Sequence, residues 1–218
     1  MRTVSQPPGE AVRNVSQPPG EAVRTVSQPP GEAVRLGEGF GPGHAVATIG
    51  VTIAVPDPHG AELQEARVGY GDPLARSIPA HITLLPPTEV PADLLGAVQR
   101  HLLGAAARHR PFLVRLHGSG SFRPVTPVVF ARLEAGLREC RLLEASVRSG
   151  VLARELAFPY HPHVTVAHQV DESALDRAYR DFHDYRAEFT VPGFGLYLQA
   201  ADGESAAWRL LRDFPLAA

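Results

Sequence analysis

The chain has 218 residues, of which 44% are hydrophobic, so it is long enough for one globular domain or two small lobes and is not disordered throughout. It has a single cysteine, Cys140, and no lysine, so all 21 of its basic residues are arginine. These counts exclude an internal disulfide, a cysteine-based zinc cluster, Schiff-base chemistry and a Walker-type phosphate loop.

The charge and the hydropathy pattern narrow the possible partners. A formal net charge of −2 argues against a protein that coats long DNA through counterion release, whereas a small anionic ligand held by arginines remains compatible. No apolar run has the length that a membrane helix requires, and the N-terminus lacks a signal-peptide pattern. We therefore expect a soluble, cytoplasmic protein without a membrane partner.

The N-terminal part of the chain is an internal repeat. A unit with a period of 11 residues begins at Arg2, recurs from Arg13 and recurs from Arg24. Each copy contains Pro-Pro-Gly, which breaks a helix, so we expect residues 1–45 to form an extended, disordered tail and residues 46–216 to form the folded domain. We interpret the tail as a recent duplication rather than as a docking segment for a proline-recognising module.

Strand and helix patterns alternate along the rest of the chain. The predicted strands, with β-branched apolar runs, are 46–55, 81–85, 112–116, 128–133, 164–167, 189–198 and 208–214. The predicted helices, with apolar residues at helical spacing, are 57–69, 91–109, 137–151 and 172–183. Because the order of strand, helix and further strands occurs twice, we expect an α+β protein with two similar lobes.

Two short segments carry the candidate chemistry. His81 and Thr83 lie two residues apart in a predicted strand and therefore share one face, while their apolar neighbours lie on the other. His163 and Thr165 repeat this arrangement 82 residues later, with the same apolar flanks and with proline upstream. A third such triplet starts at His117 but lies among glycines, where we expect an ordinary turn.

A face with an imidazole and a hydroxyl suits an anionic ligand. One neutral histidine can act as a general base while a second, protonated one acts as a general acid. Each threonine hydroxyl can donate to a phosphoryl oxygen. We therefore predict that His81 and His163 are catalytic and that Thr83 and Thr165 bind the substrate.

Several neighbouring residues are candidates for the same site. His161 shares the face of His163 unless Pro162 ends the strand, and Arg123 is either a phosphate ligand or a solvated surface arginine. Tyr160 is a candidate substrate-binding residue that can stack on a nucleobase, although aromatic residues in strands more often cover a core. Weaker candidates of the same two kinds are Arg76, Phe122 and Tyr197.

The number of histidines also raises a metal-site alternative. His161 and His163 can chelate a transition ion with His81 as third ligand. No His-Glu-x-x-His pattern supports this, and paired threonines suit an oxyanion better than a metal, so we expect neither a metal nor another cofactor. Activity that survives a chelator separates the two interpretations.

The paired motifs His81-x-Thr83 and His163-x-Thr165 resemble the two-histidine phosphoesterase superfamily, in particular its bacterial 2′-5′ RNA ligase and 2′,3′-cyclic phosphodiesterase branch. The resemblance covers 46–216 and none of the tail. It implies two lobes, each an antiparallel sheet with outer helices, around a central cleft where the motifs meet. It also implies metal-independent hydrolysis of cyclic phosphates, with the histidines as acid and base.

One departure from the family pattern bears on the substrate. Many relatives have an arginine shortly after the second motif, where this chain has Ala167 and His168. This departure weakens the inference of ligation and of binding to long RNA more than it weakens the inference of cyclic phosphate hydrolysis.

The sequence thus predicts a monomeric phosphodiesterase that acts on a small nucleotide or on an RNA end with a cyclic phosphate. The same donors would also serve a non-catalytic module that binds a nucleotide or RNA end without turning it over. An acyl or phosphoryl transferase is disfavoured, because the chain has no nucleophile elbow, glycine-rich phosphate loop or kinase signature.

Overall fold

The structure is a computed structural model that describes residues 45–199 and 207–218, together with the backbone of Val34–Arg35. The remainder of the predicted tail lies outside the described residues. Val34–Arg35 form a short strand that pairs in parallel with Thr88 and Glu89. In the part of the chain that the structure describes, no helix is long and apolar enough to cross a membrane.

The described residues form nine strands and four α-helices. The strands are β1 Val34–Arg35, β2 Val46–Ala54, β3 His81–Pro91, β4 Phe112–Ser121, β5 Val128–Ala135, β6 His163–His168, β7 Arg186–Val191, β8 Gly193–Gln199 and β9 Trp208–Pro215. The α-helices are α1 His59–Tyr70, α2 Leu95–Ala106, α3 Leu137–Val147 and α4 Glu172–Asp181. Short 3₁₀ turns occur at Ala92–Leu94 and Gly150–Leu152.

The main strands form one curled sheet made of two antiparallel halves. The strand order is β7-β4-β5-β6-β3-β2-β8-β9, and β1 pairs with β3 outside this path. The two halves meet where Ile82 of β3 pairs with Val164 of β6. Each of the two strands at this joint is the last element of a unit of strand, helix and antiparallel strand. The units are β2-α1-β3 in one half and β5-α3-β6 in the other. The predicted α+β fold with two similar lobes is therefore confirmed.

Strand β3 is longer than predicted, because it continues through two prolines that look like the end of a strand. The sequence places its end at Leu85, but the strand continues through Pro86 and Pro87. Between the pairs Ile49–Thr88 and Val51–Leu85, the two prolines oppose the single residue Gly50, which makes a β-bulge. Proline has no N–H to donate, so a bulge accommodates it without losing ladder hydrogen bonds.

Two further strand predictions need correction. The predicted strand 189–198 is two strands that lie in different halves of the sheet, since Pro192 separates β7 from β8. The predicted turn at His117 is instead part of β4, where Gly118 has φ 73° and the pairing with β5 shifts register. A left-handed glycine is typical of a bulge, so the glycine that suggested a turn marks an irregularity inside a strand.

The helices cover the sheet face that lies opposite the motif side chains. In β3 and β6 the residues between the histidine and the threonine, Ile82 and Val164, are fully buried. Helices α1 and α4 pack on β6, and α3 packs on β3. The motif side chains are thereby left on the opposite, concave face, partly accessible to solvent.

Candidate active site

The sheet joint brings the two predicted motifs together. Since Ile82 and Val164 are paired in antiparallel strands, Thr83 lies on the side of His163, and His81 lies on the side of Thr165. All four side chains are half-buried. Two stretches that are distant in sequence thus place two imidazoles and two hydroxyls on one face of the sheet, beside the joint.

The two imidazoles are held in the same way. His81 Nδ1 lies 2.7 Å from the carbonyl oxygen of Pro79, and His163 Nδ1 lies 2.7 Å from the carbonyl oxygen of His161. A carbonyl can only accept, so both Nδ1 atoms carry the proton. In the neutral ring, Nε2 is then the lone-pair nitrogen that is available for proton transfer.

Burial lowers the pKa of both histidines. The pKa of His163 falls to about 4, mainly because burial disfavours its charged form, with smaller contributions from the nearby His161 and His81. Burial likewise lowers the pKa of His81, and the positive charge of Arg67 acts in the same direction. At neutral pH the free protein therefore holds both imidazoles uncharged.

Two cavities of unequal size flank the motifs and share Thr83 and Pro86. The smaller one, of about 80 Å³, lies beside His81. Its far wall is formed by Tyr197 and Trp208. The Trp208 ring packs on the backbone of Gly50, where a Cβ would lie 3.1 Å from it.

The larger cavity, of about 390 Å³, lies beside His163. Phe122 contacts the His163 ring edge-on, with the ring centroids 4.8 Å apart. Phe158 and Val125 also line this cavity, although their side chains are 62% and 63% exposed. Large apolar side chains that stay exposed beside polar groups are typical of a ligand-binding surface.

Arg123 is bonded to other side chains and lines neither cavity. Its Nη1 donates 2.8 Å hydrogen bonds to Glu172 and Asp176 of α4, and its Nε contacts the hydroxyl of Ser121. This arginine therefore ties the β4–β5 turn to α4, and its role as a phosphate ligand stays a prediction. The weaker candidate Arg76 is exposed and lines neither cavity.

Tyr160 and His161 lie at the larger cavity. The Tyr160 hydroxyl donates a 2.9 Å hydrogen bond to the carbonyl oxygen of Thr83, which links the segment before β6 to the first motif. Burial raises the pKa of this hydroxyl. His161 precedes the strand and is exposed, with its ring centroid 6.2 Å from that of His163. Its position is compatible with substrate contact, whereas Tyr160 has a structural hydrogen bond.

The metal alternative finds no ligand set. Among residues 45–199 and 207–218, no group of three or more His, Cys, Asp or Glu side chains is arranged to hold a metal ion. His81, His161 and His163 therefore do not form the chelating triad that their spacing in sequence allowed.

Sequence reasoning did not single out several residues of the site. Trp208 and Phe158 line the cavities, and Arg67 lies behind His81. A signal for Arg67 was present, because it lies four residues after the buried Leu63 and so occupies a core position of α1. Trp208 reaches the site through sheet pairing with β8, which the sequence pattern did not show.

Comparisons with known proteins agree with this geometry. Residues 55–203 match the family model of the 2′-5′ RNA ligase superfamily. A Bacillus cytotoxicus protein is 30% identical over 149 residues, which are 66% of this chain and 83% of the relative. A Bacillus licheniformis protein is 31% identical over 149 residues, which are 67% of this chain and 86% of the relative. Both names give phosphoesterase as an assumed activity.

Solved structures show the same fold. Escherichia coli LigT complexed with 3′-AMP has a TM-score of 0.56 at 22% identity and covers 80% of this chain and 100% of its own. TT0787 of Thermus thermophilus has a TM-score of 0.53 at 25% identity and covers 78% of this chain and 97% of its own. From the family match and the shared fold, the chain belongs to the 2′-5′ RNA ligase superfamily of two-histidine phosphoesterases.

Proposed function

We propose that this protein hydrolyses the 2′,3′-cyclic phosphate of a nucleotide or of an RNA end, by acid–base catalysis with His81 and His163 and without a metal. The observation that carries this proposal is the symmetric pair of imidazoles at the sheet joint. Each has its Nδ1 proton committed to a backbone carbonyl two residues upstream. Each therefore has Nε2 available for the reaction.

The reaction requires one proton acceptor and one proton donor on opposite sides of phosphorus. A neutral imidazole removes a proton from water as the water oxygen attacks phosphorus. The second imidazole, protonated, gives its Nε2 proton to the ribose oxygen as the P–O bond breaks. The Thr83 and Thr165 hydroxyls donate to the non-bridging oxygens, where negative charge concentrates. The product is a phosphomonoester of the nucleotide or RNA end, with a free neighbouring hydroxyl.

Cavity size supports one orientation of the substrate. The cavity of about 390 Å³ beside His163 is in the usual range of a small-molecule site, whereas the cavity beside His81, of about 80 Å³, is smaller than that range. With the nucleoside beside His163, the leaving ribose oxygen also lies there. His163 is then the general acid, and His81 activates the water on the other side.

Substrate binding allows this acid to take up its proton from solvent. Burial lowers the pKa of His163 to about 4 in the free protein. A phosphate anion close to the ring favours the charged form and so raises this pKa in the complex. The same anion raises the pKa of His81, and the pair shares one proton in the reactive state.

The experiment uses purified full-length protein, 2′,3′-cyclic mononucleotides and a chelator, with His81→Gln and His163→Gln variants alongside the wild type. We expect turnover by the wild type in the chelator and a loss of about 10² to 10⁴-fold in each folded variant. Loss of activity in the chelator would contradict a metal-independent mechanism. Equal rates in wild type and variants would contradict the roles of the histidines.

A binding module that captures a nucleotide or RNA end without turnover is the second candidate. It is favoured by the neutral state of both imidazoles in the free protein. Binding of a cyclic nucleotide in the same experiment, with no product after prolonged incubation, would identify it. We further propose that the protein acts as a monomer, since both halves of the sheet come from one chain.

A further inference from the structure

A buried ion pair lies directly behind the first motif. Arg67, near the end of α1, places its Nε 3.0 Å from Oδ2 of Asp72, and the two side chains are 5% and 0% exposed. Asp72 also accepts a 2.9 Å hydrogen bond from the backbone N–H of Leu74. Two charges at this depth are costly unless their polar atoms are fully paired, so the geometry of this pair is well determined.

The same guanidinium reaches the segment that holds the catalytic imidazole. Arg67 Nη1 donates a 2.6 Å hydrogen bond to the carbonyl oxygen of Ile78. The next carbonyl, that of Pro79, accepts the Nδ1 proton of His81. The carbonyl after it, that of Ala80, accepts a 3.0 Å hydrogen bond from the N–H of Val55.

Three successive carbonyls before His81 therefore all have fixed partners. The central one belongs to a proline, whose ring fixes φ and leaves the segment little freedom. Anchoring Ile78 on one side and Ala80 on the other determines where the Pro79 carbonyl points. That direction in turn determines the tautomer and the orientation of the His81 ring.

We propose that Arg67 is a positioning residue for His81, acting through the carbonyl of Ile78 and the rigid Pro79. The proposal rests on the proposed function in so far as His81 has a catalytic role. Asp72 has an indirect part, since it holds the guanidinium in the orientation that serves Ile78. Arg67 itself is buried behind the sheet and does not line either cavity.

The charge of Arg67 gives the proposal a signature that packing alone would not produce. The positive charge of Arg67 from α1 acts on the pKa of His81, and His81 in turn acts on the pKa of His163 across the joint. Burial is the largest cause of the lowered pKa of His81, and the positive charge of Arg67 adds to it. Neutralising Arg67 should therefore raise this pKa.

The test variant combines the substitutions Arg67→Gln and Asp72→Asn. With both charges removed, no buried charge is left unpaired, and the two amides can form a hydrogen bond with each other. Glutamine is too short to reach Ile78 from the same backbone position. The matched control replaces an exposed pair at the edge of the sheet, Arg115→Gln with Glu188→Gln, whose charged atoms lie 2.8 Å apart. Thermal unfolding checks that both variants are folded.

Two readouts are measured on the folded variants. The first is the nitrogen chemical shifts of His81, which report its tautomer and require no substrate. The second is kcat and its pH profile with a 2′,3′-cyclic mononucleotide. For the variant without Arg67 and Asp72 we expect a mixed His81 tautomer and a loss in kcat on the order of 10²-fold at nearly unchanged KM. We also expect the acid limb of the pH profile, which reports the general base His81, to shift to higher pH.

Arg67→Lys separates the charge from the hydrogen bonds. A lysine keeps the charge but has no planar fork to serve Asp72 and Ile78 together. We expect its pH limb to stay near that of the wild type while kcat remains reduced. Full recovery of kcat by Arg67→Lys would overturn the route through Ile78, and so would an unchanged His81 tautomer in the double variant. If the wild type hydrolyses no cyclic nucleotide, the proposed function fails, and the tautomer measurement still decides the role of Arg67.

Discussion

The hydroxyl of Tyr160 donates a 2.9 Å hydrogen bond to the backbone carbonyl of Thr83, so the segment that leads into the second motif is attached to the strand that carries the first. This bond lies next to the joint between Ile82 and Val164. The two halves of the sheet are thus connected beside the candidate active site by backbone pairing and by a side chain. Small movements between the halves would change the distance between the two imidazoles.

Tyr160→Phe keeps the ring and removes this hydrogen bond. We expect the free energy of unfolding to fall by about 1 kcal/mol, because the half-buried Thr83 carbonyl loses this hydrogen bond, and kcat to fall with little change in KM. Chemical denaturation and steady-state kinetics measure both quantities. A large rise in KM at unchanged stability would instead mean that Tyr160 binds the substrate directly.

Phe158→Ala tests the larger cavity as the nucleoside site. Because the Phe158 side chain is 62% exposed, its removal should leave the thermal stability unchanged. If the base stacks on Phe158, KM for a cyclic mononucleotide should rise about tenfold or more. Leu103→Ala on α2 is the control, since Leu103 is 49% exposed and lines neither cavity. Equal KM values for the two variants would contradict binding of the nucleoside in this cavity.

The substitution Arg123→Gln should leave KM for the cyclic phosphate unchanged, since the guanidinium is bonded to Glu172 and Asp176. We expect a slightly lower melting temperature, because the β4–β5 turn loses its tie to α4. A fluorescence melt and a substrate titration measure these quantities. A marked rise in KM would show that Arg123 leaves its carboxylate partners to bind phosphate.

The lowered pKa of His163 predicts that the protein loses stability in mild acid. The pKa of His163 in the folded state is about 4, below its ordinary value of 6.5. Above pH 6.5 the ring is neutral in both states; between 6.5 and 4 only the unfolded chain takes up the proton, so the free energy of unfolding falls by up to roughly 3 kcal/mol.

Denaturant titrations at a series of pH values measure this loss. His163→Gln should reduce the dependence between pH 6.5 and pH 4 without abolishing it, because the pKa of His81 is lowered as well, whereas the substitution His183→Gln, at a side chain that is 74% exposed, should not change it. A wild-type protein whose stability is constant over this interval would show that the His163 ring is not desolvated as the structure indicates.

The local features of the site were largely predictable from the sequence. The period of two in a strand places His81 with Thr83 and His163 with Thr165, and the similar surroundings of the motifs indicate two similar lobes. What the sequence does not contain is the pairing that joins the lobes, because Ile82 and Val164 look like any buried strand residues.

The errors have local physical causes. Pro86 and Pro87 look like the end of a strand, yet a bulge opposite Gly50 accommodates both. The apolar residues on either side of Pro192 form one continuous strand pattern, so the sequence predicts a single strand where the structure has β7 and β8. The partners of Arg123 on α4 are far away in sequence, so its ion pairs were not predictable either. Each case depends on a tertiary contact that no local pattern reports.

The central claim is that His81 and His163 act on one phosphorus atom with different roles, and a change of leaving group tests it most directly. In a nitrophenyl phosphodiester, the nitrophenolate leaving group departs without being protonated. Hydrolysis of this substrate therefore needs a general base but no general acid. With this substrate, His163→Gln should regain most of the rate that it loses with a cyclic nucleotide, and His81→Gln should not. Equal losses in both variants with both substrates would contradict the division of roles between the two histidines.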